Sequence, residues 1–492
     1  MRMIMLASAA VLAGCAVGPD FTRPNAPPAA GYTPEPLATS TNPADEKDGG
    51  RQRFAVGRDI PGQWWTLFRS PSLNALIERS LRANPVLEAA QAAVQQAVET
   101  RRAQQGAFFP NIQGGFTAQR NKTALGALSA VTSNGSGYYN LYTAQVTVGY
   151  SPDVFGLNRR AVESLDATAE NQRFQLEAAY LTLTSNVVAA AVQEALIRAQ
   201  VDATRQIIDV VSKSVNLLRK QFELGQVAQA DVLVQEALLT TAQATLPPLE
   251  KQLAQQRNLL AALTGQLPSN QPTETFDLAS LQLPEELPVS LPSRLVEQRP
   301  DIRAAEETWR AANAQIGVAV ANRLPLFNMA ALIGSSPTQI AGLFVPGNGF
   351  FTLTAGVTQP IFEGFTLLRR QRAAEASARQ AEAQYRQAVI TGFQNVADTL
   401  RALQSDADAS RTALAAERTA QASLDIARRQ LALGQINNLV LLTAQQTSLQ
   451  ARLNLVQAQA NRFADTAALF QAFGGGWWNR PEQQAVLSGS RP

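Results

Sequence analysis

The sequence predicts a mostly α-helical protein with a membrane β-barrel contribution, in which a duplicated long-helix coiled coil carries four β-strands per chain. Three observations predict this fold. Two very long stretches contain almost no helix-breaking residues, the two halves of the chain align with each other, and four segments alternate apolar and polar side chains. Ordinary globular helices average about 11–12 residues, so a compact globule does not account for stretches of this length.

The N-terminus has the composition of a bacterial lipoprotein signal. Met1 and Arg2 give a positive start, and the apolar run "MIMLASAAVLAG" that follows is too short for a transmembrane helix of about 20 residues. The motif "LAGC" resembles a lipobox, in which cleavage after Gly14 leaves Cys15 as an acylated first residue. We therefore expect residues 1–14 to be a signal peptide and Cys15 to carry a covalent lipid such as palmitate. The alternative is a secretory signal followed by an incidental cysteine.

A tether and an internal duplication organise the rest of the chain. Residues 24–50 are rich in Pro, Ala and Thr without an apolar period, which predicts an extended tether. The stretch "RANPVLEAAQAAVQQA" (82–97) aligns without gaps on "EQRPDIRAAEETWRAA" (297–312), and "FELGQ" resembles "LALGQ". The predicted segments are the lipidated N-terminus and tether at 15–50, a first repeat at 51–264, a Pro-rich linker at 265–299, a second repeat at 300–472 and a C-terminal tail at 473–492.

Each repeat contains one very long predicted helix. Residues 157–224 contain neither Gly nor Pro, and residues 365–433 contain only Gly392. At 1.5 Å per residue, each stretch predicts a rod of roughly 100 Å. Apolar residues recur along both rods at alternating steps of three and four, which is typical of a coiled coil. Each rod ends at a glycine turn, Gly225 or Gly434. Returning and shorter helices are predicted near 229–264, 438–472, 85–108 and 300–323.

Four segments predict β-strands in two hairpins. In "YTAQVTVGY" the apolar residues Tyr142, Ala144, Val146, Val148 and Tyr150 alternate with Thr and Gln, and "NIQGGFTAQR", "LFNMAALIG" and "FFTLTAGVT" alternate in the same way. Strands of about 9–11 residues with polar, uncharged inner faces suit a membrane barrel around water. Four strands cannot close a barrel and a membrane sheet cannot leave open edges, so the pattern predicts a dimer of eight strands or a trimer of twelve. Two hairpins of a soluble sheet are the alternative.

The composition excludes most catalytic chemistry. The chain has no histidine, one cysteine and a net charge of +3, so we expect no enzyme activity, no metal site and no nucleic-acid partner. The carboxylate pairs Glu306–Glu307 and Glu285–Glu286 are expected to be solvated surface. The loop "GLFVPGN" (342–348) has the glycine spacing of a phosphate-binding loop, but Asn348 stands where that loop needs lysine.

Several motifs in their order along the chain carry a family resemblance. "CAVGPDFTRP", "WWTLFRSPSLNALIERSLRANPVLEAA" (64–90), the duplicated strand–helix junctions and "AFGGGWW" (472–478) resemble the outer-membrane factor family of tripartite efflux systems, specifically its lipoprotein (NodT-type) branch. The resemblance implies a homotrimer in the outer membrane of a Gram-negative bacterium, with a twelve-stranded barrel and a twelve-helix periplasmic tunnel. It also implies a periplasmic adaptor (membrane fusion) protein and an inner-membrane RND pump as partners. Trp64, Trp65 and the segments 265–299 and 473–492 would form an equatorial belt.

The resemblance also implies that the two helix turns converge at the periplasmic end, where they close the channel and meet the adaptor. The candidate tip and gate residues are Gly225, Asp231, Gly434, Ile436, Asn437 and Asn438. Relatives often carry acids at the second tip, whereas "LGQINNLVLL" has none, which argues against a charged gate there. Asp231 is the acid nearest to the first tip, and a helix N-cap explains it equally well.

These features predict a passive exit duct that needs no cofactor beyond the lipid on Cys15. One alternative is the same architecture in a type I protein secretion system. The other, from a different class, is a periplasmic coiled-coil lipoprotein scaffold without a pore. The alternating strands favour a pore, because a scaffold has no use for apolar-out, polar-in ribbons. The sequence carries no signal for a particular substrate.

Overall fold

The structure is a computed structural model that describes residues 16–29, 31–35, 40–41, 52–122 and 138–480. Gly14, Cys15 and the last part of the predicted tail lie outside the described residues. The helices are α1 (Pro71–Ala83), α2 (Pro85–Gln105), α3 (Leu157–Glu223), α4 (Gln229–Leu263), α5 (Pro292–Gln298), α6 (Pro300–Ala321), α7 (Thr366–Ala432) and α8 (Asn438–Ala472). The strands are β1 (Arg53–Val56), β2 (Asn111–Lys122), β3 (Tyr138–Tyr150), β4 (Glu286–Val289), β5 (Leu326–Ser335) and β6 (Gly349–Thr358).

The helices recur in the two repeats with matching lengths. Both α3 and α7 have 67 residues, and both α4 and α8 have 35. The shorter helices α2 and α6 have 21 and 22 residues. The long helices run uninterrupted because neither contains proline and only α7 contains a glycine. The helices of the two repeats predicted from the sequence therefore correspond one by one.

One helix among the described residues is apolar enough to cross a membrane by length and composition alone. An 18-residue window of α3 has a mean hydropathy of 1.2, and 67% of that window is buried inside the protein. Burial against other helices accounts for this apolar character. The window is therefore weak evidence for a helix that crosses a membrane.

The chain forms two compact units, and each draws on both repeats. The sheet unit comprises the chain up to Pro24, Ala93–Gln172 and Ala304–Tyr385. The core unit comprises Asn25–Ala92, Arg173–Arg303 and the chain from Arg386 onward. The boundaries of these units pass through the long helices, because each long helix contributes one end to the sheet unit and the rest to the core unit.

Aromatic side chains fill the centre of the core unit. Trp64 and Trp65 are 1% and 2% exposed, so both side chains pack inside this unit. The Trp64 ring stacks on Phe470 with 5.2 Å between centroids. Nearby, β1 pairs in parallel with β4, and Phe54 lies opposite Leu287. Burying a large aromatic side chain stabilises a fold by about 2–3 kcal/mol, so this cluster anchors the segments around it.

Each repeat ends at a glycine pressed against another backbone. Gly265 follows α4 with a φ of +72°, and a Cβ there would lie 2.2 Å from the carbonyl oxygen of Ala83. Gly474 follows α8 with a φ of +88°, and its Cβ would lie 2.3 Å from the carbonyl oxygen of Gln298. Only glycine combines the left-handed conformation with so close a backbone contact. The two contacts are equivalent in the two repeats.

The N-terminal residues of the core unit are packed. Tyr32 donates a hydrogen bond from its hydroxyl to the Ser290 carbonyl at 2.9 Å. Its ring lies 5.6 Å from both Phe393 and Phe473, and burial raises the pKa of Tyr32 above its usual value. In the described part of this segment Tyr32 therefore contacts the core, whereas the composition predicts a free tether.

The expectation that Glu306 and Glu307 are solvated is wrong. They are 4% and 5% exposed. Arg23 lies 3.0 Å from the Glu306 carboxylate, and Arg310 lies 3.4 Å from that of Glu307. These arginines supply the positive charge that a buried carboxylate needs. The other predicted pair, Glu285–Glu286, is exposed as expected.

Candidate functional site

The four long strands form one antiparallel sheet in the order β2-β3-β5-β6. The two hairpins come from different repeats, and β3 joins them by pairing with β5 from Ala144↔Ser335 to Tyr150↔Met329. The hairpins themselves have long registers, from Asn111↔Gly149 to Lys122↔Tyr138 in the first. The alternation in the sequence therefore predicts the strands correctly.

One face of this sheet is apolar and exposed. Because directly paired residues share a face, the register aligns rows such as Ile112–Val148–Ala331–Leu353. A second row joins Val146, Ile333 and Phe351, of which Ile333 is 65% and Phe351 75% exposed. Exposed apolar rows of this size mark a surface made to contact lipid or protein.

The opposite face carries mainly polar, uncharged side chains. Thr147 pairs with Gln113 and with Leu332, and Leu332 pairs with Thr352. Thr143 donates or accepts a hydrogen bond with Ser336 at 2.8 Å. Leu332 and its neighbour Ala330 make this face less polar along β5 than along the other strands. The arrangement has the two-faced character of a sheet between lipid and water.

Both edges of the sheet are open in the described chain. β2 pairs with β3 alone and β6 pairs with β5 alone. Beyond the end of β6, Ile361 is 95% exposed, Phe362 74% and Phe365 65%. An open edge in hydrocarbon leaves backbone groups without hydrogen bonds, so such a sheet must be completed by other strands.

The first helix turn joins α3 to α4. The amide of Gly225 donates to Phe222 O at 2.9 Å and that of Gln226 to Gln221 O at 2.8 Å, which is a glycine helix end with a φ of +71°. Asp231 is exposed, and its carboxylate accepts a hydrogen bond from the Ala228 amide at 3.2 Å. Asp231 therefore caps the start of α4 from its third helical position.

The second turn, between α7 and α8, repeats this geometry. Gly434 N donates to Leu431 O at 2.9 Å and Gln435 N to Gln430 O at 2.8 Å. Asn437 is the N-cap of α8, and its side-chain oxygen accepts from Val440 N at 3.2 Å. Ile436 is half-buried, and Asn438 is the first residue of α8.

Apolar side chains beside the turns are exposed. Leu224 is 73% exposed, Leu433 71% and Leu439 60%. No sequence pattern marks these leucines as functional, although Leu224 and Leu433 stand beside the two glycines. Exposed leucines at both turns form a candidate protein-contact surface.

A half-buried acid pair, Asp406 and Asp465, lies between α7 and α8. Asp406 hydrogen-bonds to Asp465, and burial first, then this hydrogen bond and the charge of Asp465, raise the pKa of Asp406 to about 7, while Arg462 opposes the rise. Arg462 is 1% exposed. Sequence reasoning missed this cluster because nothing local links the two aspartates.

Other chemical sites are not supported within the described residues. They contain no group of three or more side chains suited to a metal ion. In the loop 342–348, the Asn348 amide donates to the Gly342 carbonyl at 2.8 Å, so Asn348 closes the turn. Asn348, which stands where a phosphate-binding loop needs lysine, therefore has a structural role.

Comparison with known proteins identifies the family. The outer membrane efflux protein family matches residues 76–266 and 291–475. The toluene efflux pump outer membrane protein TtgF of Pseudomonas putida is 29% identical over 488 residues, which covers 98% of this chain and 98% of the relative. The pyoverdine export outer membrane protein OpmQ of Pseudomonas putida is 30% identical, with 85% of this chain and 89% of the relative covered.

A solved structure shows the same fold. The Campylobacter jejuni CmeC outer membrane channel superposes with a TM-score of 0.84 at 20% sequence identity, and the match covers 96% of this chain and 98% of that chain. The long helices and the four-stranded sheet therefore correspond to the long-helix tunnel fold. From the family match and this fold, the chain belongs to the outer membrane efflux protein family.

Proposed function

We propose that the protein is the trimeric exit duct of an RND-type tripartite efflux pump, conducting substrates passively across the periplasm and the outer membrane. Membership of the family makes it an outer-membrane efflux component. The proposal adds three copies per channel, a periplasmic adaptor, an inner-membrane RND pump that supplies the energy, and no enzymatic step. The absence of histidine from the whole chain supports the last point.

The open edges of the sheet carry the proposal. β2 and β6 lie at opposite edges, so β6 of one copy can pair with β2 of the next until the ring closes. Three copies supply twelve strands, which leave a water-filled bore, whereas eight strands enclose a space that side chains fill. The polar face around Thr147 and Gln113 would line that bore.

Small molecules are the proposed substrates. The relatives are named for the efflux of toluene and the export of pyoverdine, which are chemically dissimilar. A passive duct lined by uncharged polar groups accommodates both. This supports efflux over protein secretion, the alternative with the same architecture.

We propose further that Cys15 is acylated after cleavage behind Gly14. The "LAGC" motif at the end of the apolar run supports this modification. Mass spectrometry of the mature protein should show an N-terminal Cys15 with added acyl chains. An unmodified Cys15 would contradict the lipid anchor and leave the channel proposal standing.

The helix turns are proposed to close the channel and to bind the adaptor. The exposed leucines beside Gly225 and Gly434 support a protein contact. Asp231 and Asn437 each cap a helix, and that local role already accounts for both residues. Closure would then depend on the approach of the turns themselves more than on a ring of charge.

Conductance in planar lipid bilayers tests the channel with neighbouring residues on opposite faces of β3. Thr147→Arg should insert normally and shift ion selectivity toward anions, because it places a positive charge in the lumen. Val146→Arg should reduce insertion, because a charge facing lipid costs about 2–4 kcal/mol at the bilayer midplane. Purified protein that inserts but never conducts, even with altered turns, would favour the scaffold and overturn the proposal.

A further inference from the structure

The residues that follow Cys15 are held along a helix of the sheet unit. This N-terminal strip, Ala16–Arg23, has no regular secondary structure, yet Ala16, Val17 and Phe21 are half-buried. The Val17 amide donates to the Phe155 carbonyl at 3.1 Å, just before α3 begins. The strip thus starts at the junction between β3 and α3.

Arg160 in the first turn of α3 binds the backbone of the strip. Its Nε donates to the Val17 carbonyl at 3.0 Å, and its Nη2 donates to the Gly18 carbonyl at 3.2 Å and to Asp20 at 2.7 Å. Arg160 is 5% exposed, so these hydrogen bonds are made by a buried charge. Its remaining Nη1 donates to Glu163 at 2.7 Å. A buried guanidinium is stable only with such a set of acceptors.

The rest of the strip follows one stripe of α6 in regular register. Gly18 lies against Gly317, the Pro19 carbonyl accepts from Asn313 at 3.0 Å, the Phe21 ring meets Trp309 at 5.1 Å, and Arg23 lies 3.0 Å from Glu306. Successive contacts on α6 are separated by about one helical turn. Five extended residues span about 17 Å, and eleven helical residues span about 16–17 Å, so the two lengths match.

Backbone packing explains a glycine inside α6. A Cβ on Gly18 would lie 2.5 Å from the Cα of Gly317, and a Cβ on Gly317 would lie 2.8 Å from the Val17 carbonyl. Glycine in a helix interior costs about 0.5–1 kcal/mol relative to alanine, so its presence needs a reason. The alignment of the repeats places Arg102 at the corresponding position of α2, where its exposed side chain pairs with Glu99.

The second repeat has the same junction, and no comparable strip packs on it among the described residues. Gly156, before α3, has a φ of +80°, and Phe365, before α7, has a φ of +66°. A Cβ on Gly156 would lie 2.7 Å from the Cα of Ala16, whereas Phe365 has room for a whole exposed ring. Arg369, which corresponds to Arg160, is exposed. The same positive φ is thus occupied by glycine only at the junction where the strip packs.

We propose that the N-terminal strip fixes the acylated Cys15 at the strand–helix junction, with Arg160 and Gly317 as the residues that position it. Cys15 is covalently bonded to Ala16, and Ala16 packs against Gly156 at this junction. The acyl chains then enter the leaflet where the strands leave the membrane, at a fixed position beside the barrel. This inference rests on the proposed lipidation and on the proposed barrel.

Spin labelling of the full-length protein tests whether the strip is fixed. Thr22→Cys on the exposed side of the strip is labelled with a nitroxide, and the acylated Cys15 does not react. An immobilised spectrum is expected. Gly317→Leu should mobilise the label, because leucine favours the helix but fills the space of Gly18, whereas Arg102→Leu should leave it immobile. Arg160→Ala and Arg369→Ala form a second matched pair with the same expectation. A mobile label in the parent protein overturns the proposal.

A second measurement separates lipid positioning from a merely structural role. The fraction of protein inserted in the outer membrane is compared in the lipidated chain and in a Cys15→Ser chain secreted on a non-lipoprotein signal. Gly317→Leu should reduce insertion of the lipidated chain and have no further effect on the Cys15→Ser chain. An equal loss in both would overturn the positioning role. Two labels per chain in the Thr22→Cys protein would instead reveal an unmodified Cys15, so failure of lipidation is recognised separately.

Discussion

The two repeats of this chain have the same helices and hairpins, but they differ wherever something outside the repeat touches them. At the ends of the returning helices both repeats are alike: Gly265 rests on Ala83 and Gly474 on Gln298. At the strand–helix junctions they differ, because the N-terminal strip fills only the first. A duplicated backbone thus keeps its geometry, while single residues differ according to the segments that contact them.

A second difference lies within the returning helices. α4 contains Pro247 and Pro248 in its interior, and α8 contains no proline. A proline inside a helix removes a hydrogen bond and crowds the carbonyl four residues earlier. The first repeat therefore has a weakened point that the second lacks, at positions that correspond to Val456 and Gln457.

The largest loss of stability is predicted for substitutions at the glycines that end the two repeats. Gly265→Ala and Gly474→Ala should each lower the free energy of unfolding by about 3–4 kcal/mol, because alanine suffers in the left-handed conformation and displaces a backbone carbonyl. Gly225→Ala and Gly434→Ala are the controls, since no neighbouring atom of the described residues lies within 4 Å of their Cβ positions. These should cost about 1 kcal/mol. Denaturant unfolding measures all four, and unequal losses at Gly265 and Gly474 would break the equivalence.

The proline difference predicts the next largest effect. Replacing Pro247 and Pro248 by alanine should stabilise α4 by about 2 kcal/mol, because the missing helical hydrogen bonds are restored. Val456→Pro with Gln457→Pro should destabilise α8 by at least that amount. Thermal unfolding of the two double variants measures the contrast. A loss of stability on removing the prolines would show that α4 depends on the interruption.

The acid pair of α7 and α8 predicts a pH dependence. The folded protein holds the Asp406 proton up to a pKa of about 7, above the ordinary value of 3.8. The contribution of Asp406 to the free energy of unfolding is therefore fully present below pH 4, and it is lost as the pH rises toward 7. The loss should be on the order of 1–2 kcal/mol, because solvent screens a half-exposed pair.

Asp406→Asn should remove this slope in urea unfolding measured from pH 4 to 8, because asparagine stays uncharged. Asp408→Asn is the matched control on the same helix, since Asp408 is exposed and pairs with Arg411 at 2.9 Å. If both variants keep the slope of the parent protein, Asp406 does not hold the proton.

The smallest effects compare the caps at the two turns. Asp231→Ala and Asn437→Ala should each cost about 1 kcal/mol, because each removes one capping hydrogen bond. Single-channel conductance and its voltage dependence should stay unchanged in both. If channel closure changed in Asp231→Ala alone, the result would support a charged gate at the first turn.

The sequence predicts the elements with strong local signals almost completely. The rod expected at 157–224 is found at Leu157–Glu223, because helix breakers act within one or two residues. The strands follow from alternation in the same way. The outer-membrane family was also identified from the motifs, and the family match confirms it.

The features that escaped prediction depend on contacts between distant segments. The sequence around Glu306 is typical of a surface acid, but Arg23, which is far away in the chain, lies against its carboxylate. Gly317 has no explanation within its own helix, but the backbone of Gly18 packs against it. Asp406 and Asp465 meet only after α7 and α8 pair. Local propensity contains no information on such long-range contacts, because each contact depends on how the whole chain packs.

Disulfide cross-linking shows directly whether neighbouring copies close the sheet. Gly115 on β2 and Gly356 on β6 have no atom within 4 Å of their Cβ positions, so both accept cysteine. Gly115→Cys is combined with cysteines scanned through Gly356 and its neighbours, with the acylated Cys15 unreactive. A closed trimeric barrel should yield products of two and three chains, and nothing larger, in oxidised membranes. Products that end at two chains, continue beyond three or fail to form in the whole scan would contradict a closed trimeric barrel.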